Sequence, residues 1–309
     1  KKNSLFFLFK KIIIFFFKRD FLLFNLLKKR KIIVLSHRRL FINKQIKSIG
    51  WIPDLQQKVM KKFFDKKNYI LRENYVLSEI KNSDNIFVSS KQVKKEFKQF
   101  YNLDKKIIAL RIPSILNKRI YNNFSKKKYI FFPSQFWIHK NHEIILKTAE
   151  ILKKENINVI FILSGSKSDY RAKDYYIKLK KKIKKKKIGN YVKIKGNVNF
   201  KSLYNFQTRA IAMINPSFYE GWSTINEEAK ALNKYIFLSN IPGHIEQRNS
   251  GSIYFPPNNP HTLVRKIKSF IKKKSYLNER KLEKKNKLFY NKIKNEAVRQ
   301  LLKVYKSKQ

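Results

Sequence analysis

The sequence predicts an α/β protein built from two doubly wound parallel sheets. Short apolar runs of strand length alternate with longer segments of helical periodicity, and this alternation is typical of parallel sheets covered on both faces. A polar and basic stretch at residues 117–128 separates two such series and is interpreted as a linker. Because doubly wound sheets bind ligands at the carboxyl ends of their strands, we expect functional residues there.

In the first half, the pattern predicts strands at residues 31–36, 46–53, 86–89 and 107–112, and helices at 54–64, 73–81 and 90–100. Strongly apolar segments precede them at 5–9, 12–17 and 21–27. Charged residues interrupt these segments before any of them reaches the roughly 20 residues that span a membrane. They are interpreted as core helices, with an interfacial amphipathic segment as the alternative.

In the second half, strands are predicted at residues 129–133, 159–164, 191–195, 210–216, 235–239 and 252–255. Helices are predicted at 140–154, 170–187, 202–208 and 224–232, and from residue 260 to the end. In the second of these helices, Tyr175, Leu179 and Ile183 fall four apart, so the Lys run at 180–187 is predicted to be a solvated face. The predicted domains are 1–120 and 121–290, with a C-terminal helix at 291–309.

The formal net charge is +52, from 72 basic and 20 acidic residues. Such a charge suggests nucleic acid or an anionic membrane as partner. Only 13 of the basic residues are Arg, and Lys lacks the planar fork that reads bases. The joint excess of Lys, Ile, Asn, Phe and Tyr is what an AT-rich genome writes into its proteins. We therefore expect no nucleic-acid partner, while an anionic membrane surface stays a candidate partner under either interpretation.

Composition also argues against a metal cofactor. Cysteine is absent, which excludes a disulfide framework and a thiolate zinc site. The five histidines show no His-x-x-x-His pair, and His139 and His142 lack the Glu that accompanies them in a metal-binding helix.

Polar and glycine residues cluster where the predicted strands of the second half end. They are Ser134, Gln135, His139, Lys140, Asn141, His142, Ser164, Gly165, Ser166, Gly196, Asn197, Glu220, Gly221, Trp222, Ser223 and Thr224. A helix that begins after Gly221 would present backbone N–H groups and a positive dipole end, which suit a diphosphate. Lys140 would add a full positive charge. Glu220 and Glu228 lie eight residues apart, so both can face one side of a helix and bind sugar or ribose hydroxyls.

At these residues the chain resembles the group-1 glycosyltransferases, the retaining GT-B enzymes of family 4. The stretch PSFYEGWSTINEEAKAL at 216–232 is similar to that family's Glu-x7-Glu segment. FPSQFWIHKNHEIILKTAEILK at 132–153 resembles its phosphate-binding strand, loop and helix, and KYIFLSNIPGHIEQ at 234–247 the segment after the second Glu. WIPDLQQKVMKKFF at 51–64 and SDNIFVSSKQVKKEF at 83–97 resemble its N-terminal domain.

The resemblance implies two Rossmann-like domains that face each other across a cleft, a nucleotide diphosphate sugar as donor, a glycan or lipid-linked acceptor, and no metal. It implies that Lys140 binds the diphosphate, that Glu220 touches the donor sugar and that Glu228 holds the ribose hydroxyls. The remaining donor-binding residues that it implies are Gln135, His139, Asn141, Gly165, Gly196, Asn197, Gly221, Trp222, Ser223 and Thr224. Of these, Trp222 is expected to contribute its backbone while its ring packs in the core.

The chain departs from the family at three points. Many members carry an Arg five residues before the Lys, where this chain has Gln135. Many also carry a His near the acceptor, where this chain has Pro53 and Asp54. Asp54 is therefore predicted as a catalytic substitute, with a helix N-cap as the alternative role. Nothing before Lys31 resembles the family's opening strand and Gly-rich loop, so we expect an incomplete N-terminal domain, and a fragment of that kind would be inactive.

The function that follows is transfer of a sugar, with retention of configuration, in surface polysaccharide synthesis. The expected location is the cytoplasm, peripheral to the inner face of the membrane. Two other classes stay open: a basic nucleic-acid-binding protein, and a sugar-nucleotide epimerase on the same fold.

Overall fold

A computed structural model describes residues 21–30, 34–36, 46–104, 106–114, 116, 128–273, 277 and 280–306. The chain divides into two compact units. The first unit comprises Lys1–Val59, Lys66–Arg111 and Glu296–Gln309, and the second comprises Met60–Asp65 and Ile112–Asn295. The predicted apolar segments 5–9 and 12–17, and the predicted linker except its last residue, lie outside the described residues.

The first unit contains a four-stranded parallel sheet. Its strands lie side by side in chain order and are β1 (Val34–Ser36), β2 (Lys47–Ile52), β3 (Asn85–Val88) and β4 (Ile107–Ala109). Its helices are α1 (Phe21–Lys29), α2 (Gln56–Val59), α3 (Lys66–Asn82) and α4 (Lys91–Tyr101). The last helix of the chain, Arg280–Lys306, supplies its final turns, from Glu296 onward, to this unit.

The core of the first unit follows the alternation of its strands. On one face, Ile86 and Val88 of β3 pack with Val93 and Phe97 of α4. On the other face, Phe87 packs in a cluster that includes Val304 of the last helix. Helices therefore cover both faces of this sheet, as predicted for a doubly wound architecture.

Two predicted elements of the first unit differ in the structure. The predicted helix at 54–64 is interrupted, because Met60 leaves helical geometry and a short 3-10 turn, Lys61–Phe63, follows. Residues 60–65 belong to the second unit, where the Phe63 ring lies 6.3 Å from that of Phe218. Helix α1 forms where an apolar core helix is predicted, but Phe21 and Leu26 are exposed.

The second unit contains a six-stranded parallel sheet in the order β10-β9-β8-β5-β6-β7. Its strands are β5 (Tyr129–Pro133), β6 (Ile160–Ser164), β7 (Val192–Gly196), β8 (Ala212–Asn215), β9 (Ile236–Ser239) and β10 (Ser252–Phe255). Its helices are α5 (His142–Lys154), α6 (Tyr175–Lys185), α7 (Phe200–Arg209), α8 (Thr224–Ala231), α9 (Pro242–Glu246), α10 (Pro260–Lys272) and α11 (Arg280–Lys306).

Strand order places a topological switch point at the centre of the second sheet. The chain runs outward from β5 through β6 to β7, then returns to the other side of β5 as β8. Crossovers therefore lead away from the β5–β8 pair in opposite directions, which opens a crevice at the carboxyl ends of these two strands. The loops after β5 and β8 carry the residues that the sequence analysis singles out.

The predicted strands of the second half are all present, and β5 and β10 have the predicted bounds. Helix α9 was not predicted; it begins at Pro242, a residue that is well suited to the first turn of a helix. On α6, Leu179 is buried, while Lys182 and Lys186 are exposed and pair with Glu143 and Glu150 of α5. Among the residues that the structure describes, no helix has both the length and the apolar character needed to cross a membrane.

Candidate functional site

The crevice at the switch point contains a close ion pair. Lys140 ends the 3-10 turn that follows β5, and Glu220 lies in the loop between β8 and α8. The Lys140 Nζ lies 2.7 Å from Glu220 Oε1. Both side chains are largely shielded from solvent, with 15% and 7% of their surfaces exposed. Two residues that the sequence analysis assigns to the diphosphate and the sugar therefore meet at one point.

Glu220 is held by further donors from its own loop. The Ser217 hydroxyl lies 2.7 Å from Glu220 Oε1, and the Asn215 amide donates to the same oxygen at 3.2 Å. Burial opposes ionisation of the carboxyl, but the charge of Lys140 and these hydrogen bonds outweigh it, so the pKa of Glu220 lies below its usual value. Glu220 is therefore a carboxylate near neutral pH.

His244 at the start of α9 is buried close to the same carboxylate. Its Nδ1 lies 2.9 Å from the backbone oxygen of Ser239, so Nδ1 carries the proton and donates it. Burial lowers the pKa of His244 to about 4, although Glu220 acts in the opposite direction. The ring is therefore neutral near neutral pH. A Cβ on Gly243 would lie 2.3 Å from the Glu220 backbone oxygen, so only glycine permits this close approach.

Glycines also bring the ends of β5, β6 and β7 together. Gly165 has φ of +151°, and a Cβ there would lie 2.3 Å from the Ser134 backbone oxygen. Its N–H donates to the carbonyl of Gly196, which itself has φ of +67°. The two glycines thus shape the rim of the crevice through their backbone. Gln135 and Asn197 extend from this rim as exposed side chains.

The structure gives Asn141 a role that differs from the predicted donor contact. Its side chain is buried, and its Nδ2 donates to the carbonyl oxygens of Pro216 and Pro257 at 3.0 and 2.9 Å. Both amide protons are therefore committed to holding three loops together. A left-handed backbone, with φ of +56°, lets Asn141 link the turn that contains Lys140 to α5.

The start of α8 is partly closed to ligands. Ser223 caps the helix, because its hydroxyl accepts from the Asn226 N–H. The sequence analysis expects backbone N–H groups here to bind the diphosphate. The Ser223 N–H instead donates to Gln247 Oε1 at 2.6 Å and is not available for that role. Gly221 is buried and Thr224 is exposed.

Trp222 does not pack in the core, contrary to the prediction. The side chain is only half-buried, and its indole Nε1 donates to the Ile112 carbonyl at 2.8 Å. The carbonyl of Ile112, which lies outside the strands, thus satisfies the indole N–H. The ring is therefore fixed by a polar contact with residue 112 of its own unit.

The chemical environment of Glu228 differs from that of the Lys140–Glu220 ion pair. It accepts a hydrogen bond of 2.5 Å from Gln207 Nε2 on α7, and Gln207 is 1% exposed. Burial raises the pKa of Glu228, and the Gln207 contact only partly counteracts this. The sequence analysis expects Glu220 and Glu228 on one face of a helix. This expectation is wrong, because Glu220 precedes α8 while Glu228 lies within it.

His139, which is predicted to bind the donor, belongs to a buried structural cluster. His139 is 1% exposed, and its Nδ1 lies 3.0 Å from Arg171 Nη2. Arg171 also forms a buried ion pair with Asp169 at 2.9 Å, and Asp169 accepts from the Ile138 N–H. This cluster fixes the turn that carries Lys140.

His142 supports the same turn from the other side. Its ring stacks on Phe136 with a centroid distance of 4.6 Å and lies 4.9 Å from the Phe132 ring. Burial lowers the pKa of His142 to about 3, so the ring is neutral and packs as an aromatic group.

Asp54, in the first unit, lies two residues before the first residue of α2 and supports the start of that helix from just outside the N-cap position. Its carboxylate accepts from the Gln56 N–H at 3.1 Å and forms an ion pair of 2.6 Å with Arg72. The predicted catalytic role therefore has no support in the geometry, since Arg72 and the start of α2 already use this carboxylate. Within the described residues, no group of three or more His, Asp and Glu side chains could hold a metal ion.

Four buried residues of the site were missed by the sequence analysis: Gln207, Asn215, Ser217 and Gln247. Asn215 offered a signal, because it is the one polar residue of the otherwise apolar run of β8. Gln247 stands in a stretch that the family resemblance covers, but its partner in another loop is visible only in three dimensions. Gln207 offered no signal, since a Gln on an amphipathic helix is usually solvated.

Comparison with known proteins identifies the family and the fold of the chain. The sequence profile described as "Glycosyl transferases group 1" matches residues 114–294, more than half of the chain. The O-antigen chain mannosyltransferase RfbU of Salmonella typhimurium is 23% identical over 190 residues, which are 62% of this chain and 52% of that protein. The match thus spans about half of the relative's length.

Similar structures include three proteins that share 14 to 18% sequence identity with this chain. Anabaena Alr3699/HepE, in complex with UDP and glucose, has a TM-score of 0.70 and matches 85% of this chain and 72% of its own. Sucrose-phosphate synthase from Thermosynechococcus elongatus has a TM-score of 0.69, with coverages of 85% and 68%. A glycosyltransferase from Rickettsia africae has a TM-score of 0.62, with coverages of 93% and 79%. The chain therefore has the GT-B fold and belongs to the group 1 glycosyltransferase family.

Proposed function

We propose that this protein transfers a hexose or deoxyhexose from a nucleotide diphosphate sugar to a glycan or lipid-linked acceptor. One observation carries the proposal: Lys140 and Glu220 form a shielded ion pair at the switch point of the second sheet. A cation beside a carboxylate at the carboxyl ends of parallel strands suits a ligand that carries both phosphate and hydroxyl groups. The family to which the chain belongs supports the same reaction class.

Lys140 supplies the charge that the reaction needs. An ammonium group has three donors, and the bond to Glu220 uses one of them, which leaves donor capacity for phosphate oxygens. As the bond between the anomeric carbon and the diphosphate oxygen breaks, negative charge develops on the leaving diphosphate. A fixed cation in a site shielded from water stabilises that charge more in the transition state than in the ground state.

The two glutamates bind different parts of the donor, Glu220 the sugar and Glu228 the ribose. Glu220 is ionised and accepts hydrogen bonds, so it suits a sugar hydroxyl close to the diphosphate. Glu228 is oriented by Gln207 and accepts hydrogen bonds from the ribose hydroxyls. Because Lys140 provides the positive charge, the transfer requires no metal ion. The acceptor hydroxyl oxygen forms the new bond to the anomeric carbon on the face that the diphosphate leaves, so the configuration is retained, and the hydroxyl proton passes to the leaving diphosphate oxygen.

Similar proteins support a more specific proposal for the donor substrate and for the biosynthetic role. Structures of Alr3699/HepE contain UDP and UDP-glucose, and RfbU is an O-antigen chain mannosyltransferase. We infer a nucleoside diphosphate leaving group and a role in surface polysaccharide synthesis. The expected location is the inner face of the membrane, where a chain with a net charge of +52 meets anionic lipid and lipid-linked acceptors.

The direct test is transfer by the purified full chain. UDP-, GDP- and dTDP-sugars are incubated with a panel of glycan and lipid-linked acceptors. Products are identified by mass spectrometry, and the new anomeric linkage is assigned by NMR. We expect transfer that depends on the acceptor and is lost in the Lys140→Ala variant. Conversion of the nucleotide sugar to an epimer without any acceptor would instead support the epimerase, and would contradict the proposal.

A further inference from the structure

The first unit contains a second basic site, a cleft of about 610 Å3 between α4 and the last turns of α11. The residues that line it include Lys47, Asn85 and Ile107, which are the first residues of β2, β3 and β4. The cleft therefore extends from the amino ends of these strands along the edge strand β4 to Ala109 and Lys91. The donor site proposed above consists of residues of the second unit, whereas all the residues that line this cleft belong to the first unit, so the cleft is a separate site.

Lysines from three separate elements converge on the cleft. They are Lys47 of β2, Lys91, Lys94, Lys95 and Lys98 of α4, and Lys303 of α11. The four lysines of α4 follow the i, i+3, i+4, i+7 spacing and so share one helix face. Lys91, Lys95 and Lys98 are exposed to solvent, and residues of α11 and β4 line the same concave space.

Lysines outnumber acids among the described residues that line the cleft. Asp104 and Glu296 are its acidic lining residues, against six lysines. Asp104 lies 3.3 Å from Lys94, and Glu296 forms an ion pair with Arg111, which stands outside the cleft lining. The local charge is therefore strongly positive even after both acids are counted.

The Lys run at 180–187 provides a contrast within the same chain. It is also dense, but it lies on an exposed helix face, and Lys182 and Lys186 pair with Glu143 and Glu150 of the adjacent helix. A solvated face that is matched with acids explains that run completely. The same explanation does not account for lysines gathered from several elements around one concave space.

The floor of the cleft is apolar. Ile108, Ala109 and Val304 line it, and the three-residue strand β4 is the edge of the sheet. Lysine stems can lie along such a floor while their ammonium groups converge above it. The volume falls within the range of about 300–1,000 Å3 that is typical of small-molecule sites. Lysine is a compact point charge that suits phosphate, whereas planar recognition of carboxylates favours Arg.

We propose that this cleft binds a phosphate-bearing anion, presented either on a lipid headgroup or as a soluble polyphosphate. Both sources offer clustered phosphate oxygens to clustered ammonium groups. The alternative is that the lysines only prevent the exposed edge strand β4 from pairing with other chains, a role that edge lysines commonly have. In that case no phosphate compound would prefer this cleft over other basic surfaces of the chain.

A matched pair of charge-reversal variants of the full chain tests the proposal. Lys95→Glu with Lys98→Glu reverses two exposed charges one helical turn apart in the cleft, and Lys181→Glu with Lys184→Glu makes the same change on α6. The probes are tripolyphosphate, followed by calorimetry at physiological salt, and phosphatidylcholine vesicles with or without phosphatidylglycerol, followed by flotation. Circular dichroism and thermal unfolding check that both variants keep the fold.

We expect the cleft variant to bind at least one probe about tenfold more weakly than the wild type. The α6 variant should change by less than about threefold, because scattered surface charges are screened at this salt concentration. Loss of tripolyphosphate binding alone identifies a soluble phosphate ligand, and loss of anionic-vesicle binding alone identifies a lipid headgroup. Equal losses in the two variants, or no binding of either probe by the wild type, would overturn the proposal.

Discussion

The Lys140 ammonium lies 2.7 Å from the Glu220 carboxylate, although 80 positions separate the two residues in the sequence. The contact exists because β5 and β8 are neighbours in the sheet and each is followed by a short loop on the same edge. Each partner makes burial of the other tolerable. The pair is thus a structural element of the crevice as well as its chemical centre.

Removal of one partner should therefore cost stability. Lys140→Met leaves the buried Glu220 carboxylate without its cation, which typically costs about 3–5 kcal/mol of unfolding free energy. Adding Glu220→Gln should recover most of that loss, because the uncompensated charge disappears while the shape is kept. Urea unfolding of the two single variants and the double variant measures the coupling. If the two single losses simply add in the double variant, the pair does not couple and our description of the site is wrong.

The pH dependence of stability should report the same carboxylate. Because the pKa of Glu220 is lower in the folded chain than the ordinary value of 4.5, its ionised form stabilises the fold above that pH. This contribution is lost as pH falls through the folded-state pKa. The stability advantage of the wild type over Glu220→Gln should be largest near neutral pH and should shrink in acid. An advantage that grows as pH falls below 4.5 would have the wrong sign.

Gln207 should act as a positioning residue for Glu228. The Gln207 amide orients the Glu228 carboxylate and lowers its pKa. Gln207→Leu removes this donor, so the pKa of Glu228 should rise. We expect about five- to tenfold weaker binding of the nucleoside diphosphate, and an acidic limit of binding that moves to higher pH. Asn205→Leu, an exposed position on the same helix, is the matched control. A weaker affinity with an unchanged pH profile would indicate a structural role only.

The lysines of α6 should have little influence on the donor. Changing Lys180, Lys181, Lys184 and Lys185 to Gln removes four exposed charges from the run. Charges separated by more than a Debye length of about 8 Å are largely screened at physiological salt. Calorimetry with the nucleoside diphosphate should therefore give nearly the wild-type affinity. A large loss at physiological salt would show that this basic surface takes part in binding.

The fold was largely predictable from the sequence because its signals are local. The strand β5 and the strand β10 have the predicted bounds, and the buried face of α6 follows from the spacing of Tyr175 and Leu179. The break at Met60 was not predictable, because residues 60–65 leave the helix to pack in the second unit. Local helix signals cannot anticipate such a tertiary contact.

One feature of the site was predictable: Lys140 and Glu220 follow two predicted strands of the second half, and the structure brings them together at the ends of those strands. The donor contacts assigned to the two residues stay predictions. The predictions failed where hydrogen-bond donors already have partners within the protein. The Asn141 side-chain amide donates to two carbonyl oxygens, and the Ser223 backbone N–H donates to Gln247. Hydrogen bonds between distant loops decide these roles, and no spacing within one segment reveals them.

The role assignment rests on the division of labour between Lys140, Glu220 and Glu228. Lys140→Ala removes a charge-assisted phosphate contact of about 1.5–3 kcal/mol, which corresponds to roughly ten- to hundred-fold weaker binding of the nucleoside diphosphate. Glu228→Gln should also weaken this ligand, because the ribose is part of it. Glu220→Gln should not, because its partner is the transferred sugar and because the variant releases Lys140 from the ion pair.

Calorimetric titration of the nucleoside diphosphate into the full-chain wild type, Glu228→Gln and Glu220→Gln tests this division most directly. The account predicts clearly weaker binding by Glu228→Gln, and binding by Glu220→Gln that equals or exceeds that of the wild type. Loss of sugar transfer in Glu220→Gln, at unchanged diphosphate affinity, would complete the expected pattern. Equal losses of diphosphate affinity in the two glutamate variants would contradict the account, because one glutamate could then not serve the sugar and the other the ribose.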